Sequence, residues 1–203
     1  MQTEKNNALL LVVSAPSGAG KSTLCNRLVE RFPGMMYSVS CTTRAPRGKE
    51  KNHEHYHFLS REKFCEQVSR GEFIEHADVY GNFYGTLQET VRKALSEGHD
   101  LIMDIDVQGA AQIRTACSQL PENDPLHKNF VDIFIAPPSM EELRRRLCGR
   151  ATDTEEVIEK RMRNAEAEMK ERTAYRHLII NDDIEEALNK LVNVIHAERK
   201  ERV

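Results

Sequence analysis

The stretch Ser14-Ala15-Pro16-Ser17-Gly18-Ala19-Gly20-Lys21-Ser22-Thr23 decides the fold. It follows a short, wholly apolar run, Ala8 to Ser14 (ALLLVVS), of the kind that forms a strand buried on both faces of a parallel sheet. It precedes a helix predicted from about Lys21, with Leu24, Leu28 and Phe32 on one face and Pro33-Gly34 as its stop. Strand, small-residue loop and helix in that order make a phosphate-binding loop, or P-loop. Small residues let backbone N–H groups converge on a phosphate chain with no Cβ in the way. The helix N-terminus adds partial positive charge and unpaired donors. Lys21 supplies a full charge to β- and γ-phosphates, and Ser22 offers a hydroxyl to Mg²⁺. One residue departs from the pattern G-x-x-x-x-G-K-[ST], because Ala15 stands where the pattern has Gly. Were that position left-handed, Ala would cost about 1 kcal/mol or more.

Downstream, from Met36 to about Thr86, the character changes. The segments YSVSCTT, HYHFL, EFIEHADV and NFYG are short, alternating and rich in aromatic or β-branched residues. They predict a small mixed or antiparallel sheet, with one helix from Ser60 to Arg70. Alternation of strands and helices then resumes. A helix is predicted from Leu87 to Glu97, ended by Gly98, and a buried strand from Asp100 to Asp106 with carboxylates at its C-terminal end. A helix and a loop (TACSQLPENDPLHKN) lead to a strand at Phe130 to Ala136. Ser139 and Glu142 have capping-box spacing before the next helix. Asp153 and Glu156 repeat it before a long charged helix with the stripe Ile158, Met162, Ala165, Met169. His177 to Asn181 is the last strand, and Asp183 and Glu186 cap a final helix with the stripe Ile184, Leu188, Leu191, Ile195. The order predicts a three-layer α/β domain with a parallel core sheet.

Composition sets outer limits. The 203 residues are 39 % hydrophobic and 30 % charged, as in a folded globular domain. Twenty-nine basic against 32 acidic residues give a formal charge of −3, so any polyanion site is local and no nucleic-acid partner is expected. The longest apolar run is too short to cross a membrane or to act as a secretory signal, and no membrane partner is expected. Five cysteines, at 25, 41, 65, 117 and 148, form no C-x-x-C pair. That argues against a disulfide framework or structural zinc and fits a reducing cytoplasm.

A P-loop serves GTPases, ATPase motors and small-molecule kinases alike. Asp106-Val107-Gln108-Gly109 matches the D-x-x-G of GTPases, but no N-K-x-D follows it. The chain is short for a motor. The deciding segment is Ser38-Val39-Ser40-Cys41-Thr42-Thr43-Arg44-Ala45-Pro46-Arg47, where two arginines three apart form a fork for a phosphate monoester. Alone, Arg-x-x-Arg is an ordinary solvated turn. Tyr56 and Tyr84 add phenolic donors.

With these residues in view, the chain resembles the guanylate kinase family. The matching stretches are SAPSGAGKST, SVSCTTRAPR, HYHF, EFIEHADVYGNFYGT, DIDVQGA, FIAPPS, LCGRATDTEEVIEKRM and IINDD, in the family's order and over nearly the whole chain. The resemblance implies a P-loop kinase fold with a core (1–36, 88–138 and 171–203), a GMP-binding insert (37–87) and a helical lid (139–170). It implies the Mg²⁺-dependent reaction ATP + GMP ⇌ ADP + GDP, with dGMP as a further acceptor, in purine nucleotide recycling. By the same resemblance, Arg44, Arg47, Tyr56 and Tyr84 hold the GMP phosphate, and Ser40, Glu75 and Thr86 reach guanine with Asp106 nearby. The chemistry supports Glu75, since a carboxylate accepts both the N1–H and the 2-amino group of guanine, whereas adenine would leave it unpaired. Ala15 to Thr23 hold ATP, with Asn181 near adenine; Ser22 and Asp104 organise Mg²⁺. Lys21, Arg44 and the lid residues Arg150 and Arg161 surround the moving phosphoryl group, while at least two of Arg144, Arg145 and Arg146 read as a solvated helix face. Insert and lid are expected to close over the nucleotides and exclude water.

Some residues depart from the family's pattern. Lys49 and His53 stand near positions where it has glycines, and Ala151 follows Arg150 where Gly is usual. The loop from Thr115 to Asn129 is several residues longer than expected. His53, His55 and His57 alternate, so an extended strand would set them on one face, a spacing that could bind zinc, though a polar strand around Tyr56 is the favoured reading. The alternative to catalysis is a scaffold of the same fold that holds a phosphopeptide in the GMP pocket. Lys21 and Ser22 argue against it, and oligomeric state stays open.

Overall fold

The structure is a computed structural model and describes residues 8–79, 81–149 and 154–202. The apolar run of the N-terminal segment forms β1 (Leu10–Ser14), every residue of which is buried. It lies at the centre of a five-stranded sheet with β2 (Met35–Tyr37), β7 (Asp100–Asp104), β8 (Phe130–Ala136) and β9 (His177–Ile180), in the order β2-β7-β1-β8-β9. All pairs are parallel; Leu10 stands opposite Leu101 and Phe130, and Val13 opposite Asp104.

Period-two alternation explains why β1 has no polar face. Leu9, Leu11 and Val13 pack with α1 (Lys21–Arg31) and α8 (Ile184–Glu201) through Leu24, Leu28, Leu191 and Ile195. Ala8, Leu10 and Val12 face the other way, onto α3 (Gln88–Ser96) and α4 (Val107–Ser118) through Val91, Leu95, Ala110 and Ile113. Each fully buried Leu, Ile or Val of these layers contributes about 1.5–3 kcal/mol relative to exposure. The three-layer α/β reading therefore holds.

Between β2 and α3 lies the second sheet. It has the order β4-β3-β6-β5, from β3 (Cys41–Thr42), β4 (His57–Phe58), β5 (Phe73–Val79) and β6 (Asn82–Leu87), with α2 (Arg61–Ser69) alongside. β3 and β4 are parallel and the other pairs antiparallel, so the sheet is mixed. The helix pair α6 (Met140–Cys148) and α7 (Glu155–Lys170) has its own small core of Leu143, Leu147, Ile158, Met162 and Ala165. Arg144 ties the pair together, bonding Glu155 and reaching Glu159 at 2.6 Å.

The elements correct several expectations. YSVSCTT is not one strand: Tyr37 closes β2 of the core sheet, and Cys41 opens β3 of the second. The strand expected over 100–106 ends at Asp104, because Asp106 is the N-cap of α4 and accepts from Gly109 N at 2.8 Å. The long loop after Thr115 is largely helical. α4 runs to Ser118, and α5 (Pro125–Asn129) starts at Asp124, which accepts from Leu126 N at 2.9 Å and pairs with Arg92 at 3.0 and 3.1 Å. Pro125 at the first helical position loses nothing by lacking an N–H. The three histidines do not share a strand face. His53 is left-handed at φ 66°, only His57 is in a strand, and His55 Nδ1 accepts from Lys51 N at 3.2 Å. Ser139 and Asp183 cap their helices as expected. Arg150, Ala151 and the proposed cap Asp153 lie outside the described residues.

Candidate active site

The P-loop leaves the C-terminal end of β1 and enters α1. Its two glycines are required by geometry. Gly18 and Gly20 have φ of 96° and 92°, a region that L side chains avoid. A Cβ on Gly18 would sit 2.8 Å from Leu147 of α6, and one on Gly20 would collide with Asn181 Nδ2. Ala15 is not left-handed, so the missing glycine carries no backbone penalty; its methyl is buried against the core. Asn181, expected near adenine, is 4 % exposed and donates from Nδ2 to the Ala19 carbonyl at 2.7 Å. In this structure its amide braces the loop.

Lys21 and Ser22 meet one carboxylate. Lys21 Nζ lies 2.7 Å from Asp104 Oδ1 and donates to the Ile105 carbonyl at 2.9 Å. Ser22 Oγ donates to Asp104 Oδ2 at 3.0 Å. A cavity of about 380 Å³ opens here, lined by Ala15 to Gly18 and Gly20 to Thr23 together with Asp104, Asp106 and Glu168. Glu168, on α7, accepts from the Ser17 backbone N–H; burial pushes its carboxyl above the usual range, and Lys21 opposes the shift.

A second cavity of about 330 Å³ is lined by Tyr37, Ser38, Ser40, His55, Tyr56 and Asp104. Asp104 thus lines both cavities. Along the second sheet stand the residues expected around GMP. Arg44, 9 % exposed, donates from Nε to Tyr84 Oη at 3.1 Å, and its guanidinium lies 5.4 Å from the centre of the Tyr56 ring. Arg47 is exposed, with its backbone N–H on Glu50 at 2.7 Å. Ser40 Oγ and Thr86 Oγ1 are 3.2 Å apart. Glu75 faces Thr86 across the β5–β6 pair and is 7 % exposed. Burial pushes its carboxyl up, Asp106 adds to the rise, and hydrogen bonds from Thr86 oppose it. Gly109 leaves room for it, since a Cβ there would stand 3.3 Å from Glu75 Oε2.

Of the two arginines expected beside the moving phosphoryl group, Arg161 is half-buried on α7. In the 144–146 run Arg145 is exposed, as a solvated helix face requires, and all three arginines form ion pairs. Arg145 pairs with Glu142, and Arg146 bridges Glu142 to the Asn181 and Asp182 carbonyls at 2.9 and 3.3 Å. Two acids escaped the sequence reading, Glu50 and Glu168. The signal for the first was R-x-x-R-x-x-E; for the second, its place three residues after Ala165 on the apolar stripe of α7.

The donors around Lys21 suit Mg²⁺. Ser22 hydroxyl and Asp104 carboxylate are hard oxygen ligands, too few for an all-protein cage, as befits an ion that shares its shell with phosphates and water. Among the described residues no cluster of three His, Cys, Asp or Glu forms a metal site. No helix among them is long and apolar enough to cross a membrane.

Comparison with known proteins agrees with this geometry. The guanylate kinase family model matches residues 7–198. The chain is 47 % identical over 194 residues to guanylate kinase of Syntrophotalea carbinolica, covering 96 % of this chain and 88 % of that one. It is 48 % identical over 192 residues to guanylate kinase of Salmonella typhi, covering 94 % and 88 %. The crystal structure of guanylate kinase from Anaplasma phagocytophilum superposes with a TM-score of 0.71 at 37 % identity, over 96 % of this chain and 88 % of that one. The chain belongs to the guanylate kinase family and is a nucleoside monophosphate kinase.

Proposed function

We propose that this chain binds ATP on the P-loop and GMP against the second sheet, and moves the γ-phosphoryl group between them across Asp104. The observation that carries this reading is that Asp104 lines both cavities while holding Lys21 and Ser22. ADP and GDP leave; dGMP serves as a second acceptor. The insert spans about 37–87 and the lid 139–170, in the cytoplasm.

Phosphoryl transfer needs alignment and charge neutralisation more than covalent chemistry. Backbone N–H groups of Gly18 to Lys21 take the β-phosphate at the head of α1. Lys21 exchanges Asp104 for the β- and γ-oxygens. Arg44, Arg47, Tyr56 and Tyr84 fix the GMP phosphate as nucleophile, facing the γ-phosphorus. Glu75 accepts from guanine N1–H and the 2-amino group, with Ser40 and Thr86 beside it. Arg150 and Arg161 bring lid charge to the transferred group. Ser22 and Asp104 would hold Mg²⁺, whose chemistry when bound is to neutralise β- and γ-oxygens. Closure of α6 and α7 over the loop excludes water, the competing acceptor.

A coupled ADP-release assay with GMP, dGMP, AMP, CMP and UMP tests the reading. Turnover should be greatest with GMP. Preference for AMP would overturn the base assignment, and no turnover with any acceptor would favour the scaffold.

A further inference from the structure

Arg44 is less free than an open fork for phosphate requires. A guanidinium has five N–H donors. Here Nη1 donates to the Ala45 carbonyl at 2.8 Å and to Glu50 Oε2 at 3.0 Å, Nη2 to Glu50 Oε1 at 3.0 Å, and Nε to Tyr84 Oη at 3.1 Å. Four donors are committed inside the protein, and one on Nη2 has no partner among the described residues. The Nη1/Nη2 edge, one of the two that can grip a phosphate monoester in bidentate fashion, is held by the chain's own carboxylate.

The same carboxylate also accepts from the Arg47 backbone N–H, at 2.7 Å on Oε2. Glu50 N in turn donates to the Arg47 carbonyl at 3.0 Å. Glu50 therefore closes the turn that carries Arg47 and fixes the guanidinium of Arg44 in one bonding arrangement. The fixation propagates. Because Arg44 Nε donates to Tyr84 Oη, that oxygen is an acceptor towards Arg44 and its own O–H is left to point elsewhere. The second tyrosine stands edge-on to the first, ring centres 6.0 Å apart, with the guanidinium over its face.

We propose that Glu50 is a positioning residue for the acceptor's phosphate. Through Arg44 it aims the last Nη2 donor and the Tyr84 hydroxyl at one point, and through the turn it presents Arg47 there. It touches no substrate itself. In this division of labour Arg44 is a fixed strut with a single free donor, and Arg47 brings the uncommitted charge. The inference rests on the reading of this site as a monophosphate pocket.

Glu50 stays with Arg44 when GMP binds. A carboxylate that merely occupied the fork until phosphate displaced it would compete with substrate, and its removal would tighten binding. A positioning carboxylate has the opposite signature. The test compares wild type, Glu50→Gln and Glu50→Asp by calorimetry with GMP and with guanosine, and by kinetics with GMP and ATP. Wild type should bind GMP more tightly than guanosine; if it binds neither, the pocket reading fails, and not only this proposal. Glu50→Gln should weaken GMP by about tenfold or more, raise the KM for GMP alike, and leave guanosine affinity and the KM for ATP unchanged. Glu50→Asp should recover part of the loss. Unchanged or tighter GMP binding in Glu50→Gln overturns the proposal. So does an equal loss for guanosine and GMP, which would mark a role in the fold of the insert alone; thermal melting of each variant confirms that folded protein is compared.

Discussion

Glu75→Gln separates recognition from folding at a single buried atom. Thr86 donates to this carboxylate through its hydroxyl and its backbone N–H, and the latter can only donate. The surviving amide oxygen therefore stays with Thr86, and the new –NH₂ turns towards guanine, which presents two donors. One charge-assisted hydrogen bond is lost, about 1.5–3 kcal/mol, and a donor is left unpaired in a closed site, about 1–3 kcal/mol more. The expected fall in kcat/KM for GMP is roughly 70- to 25,000-fold. Stability should move the other way. Glu75's carboxyl is raised by burial in the folded state. Its protonated form thus favours folding, and that contribution is lost as pH rises from the ordinary glutamate range through the raised value. A neutral glutamine does not titrate, so the melting temperature of Glu75→Gln relative to wild type should increase with pH across that window. Steady-state kinetics with GMP and melting curves from pH 5 to 8 make the check. In wild type the acid limb of kcat/KM for GMP should lie above the ordinary glutamate range, since guanine needs the carboxylate. A GMP efficiency within about threefold of wild type would refute the hydrogen-bond argument.

Other substitutions probe the phosphate side. Lys21→Ala should lower kcat by about 100-fold or more with an unchanged far-ultraviolet spectrum, and near-normal turnover would remove Lys21 from the mechanism. Asp104→Asn breaks the pair with Lys21 at 2.7 Å, and the Mg²⁺ concentration for half-maximal rate should rise about 10- to 100-fold; an unchanged Mg²⁺ titration contradicts its assigned role. Gly20→Ala places a methyl at φ 92° against Asn181, so both ATP affinity and stability should fall, the latter by about 1–3 kcal/mol in a denaturant titration.

What was legible in the sequence is what local chemistry specifies. The P-loop is strand, turn and helix in one contiguous run, so pattern and structure coincide there, and Ala15 is tolerated because only Gly18 and Gly20 are left-handed within it. The helices with Ser139 and Asp183 at their heads were readable from caps for the same reason. The misreadings share a cause. His53-x-His55-x-His57 has the period of a strand, yet His53 adopts the left-handed conformation and a turn replaces the strand. Asp124-Pro125 was a helix start hidden in a polar stretch, and its anchor, Arg92, is 32 residues away. Glu168 on the P-loop, Arg146 on the Asn181 and Asp182 carbonyls, and Asn181 on Ala19 are not misreadings but further long-range contacts that spacing alone does not reveal. An isolated acid or arginine looks like a solvated charge until its distant partner is known.

The most direct test of the account is a crystal structure with a bisubstrate analogue joining adenosine and guanosine through a phosphate chain. The account predicts Lys21 Nζ and the amides of Gly18 to Lys21 within about 3 Å of the adenosine-side phosphates, and Arg47, Tyr84 and the free donor of Arg44 on the guanosine-side phosphate. Asp104 should stand between the two, and guanine should meet Glu75. A guanosine end bound away from Glu75 and Arg44, or a phosphate chain that misses the loop, would contradict it.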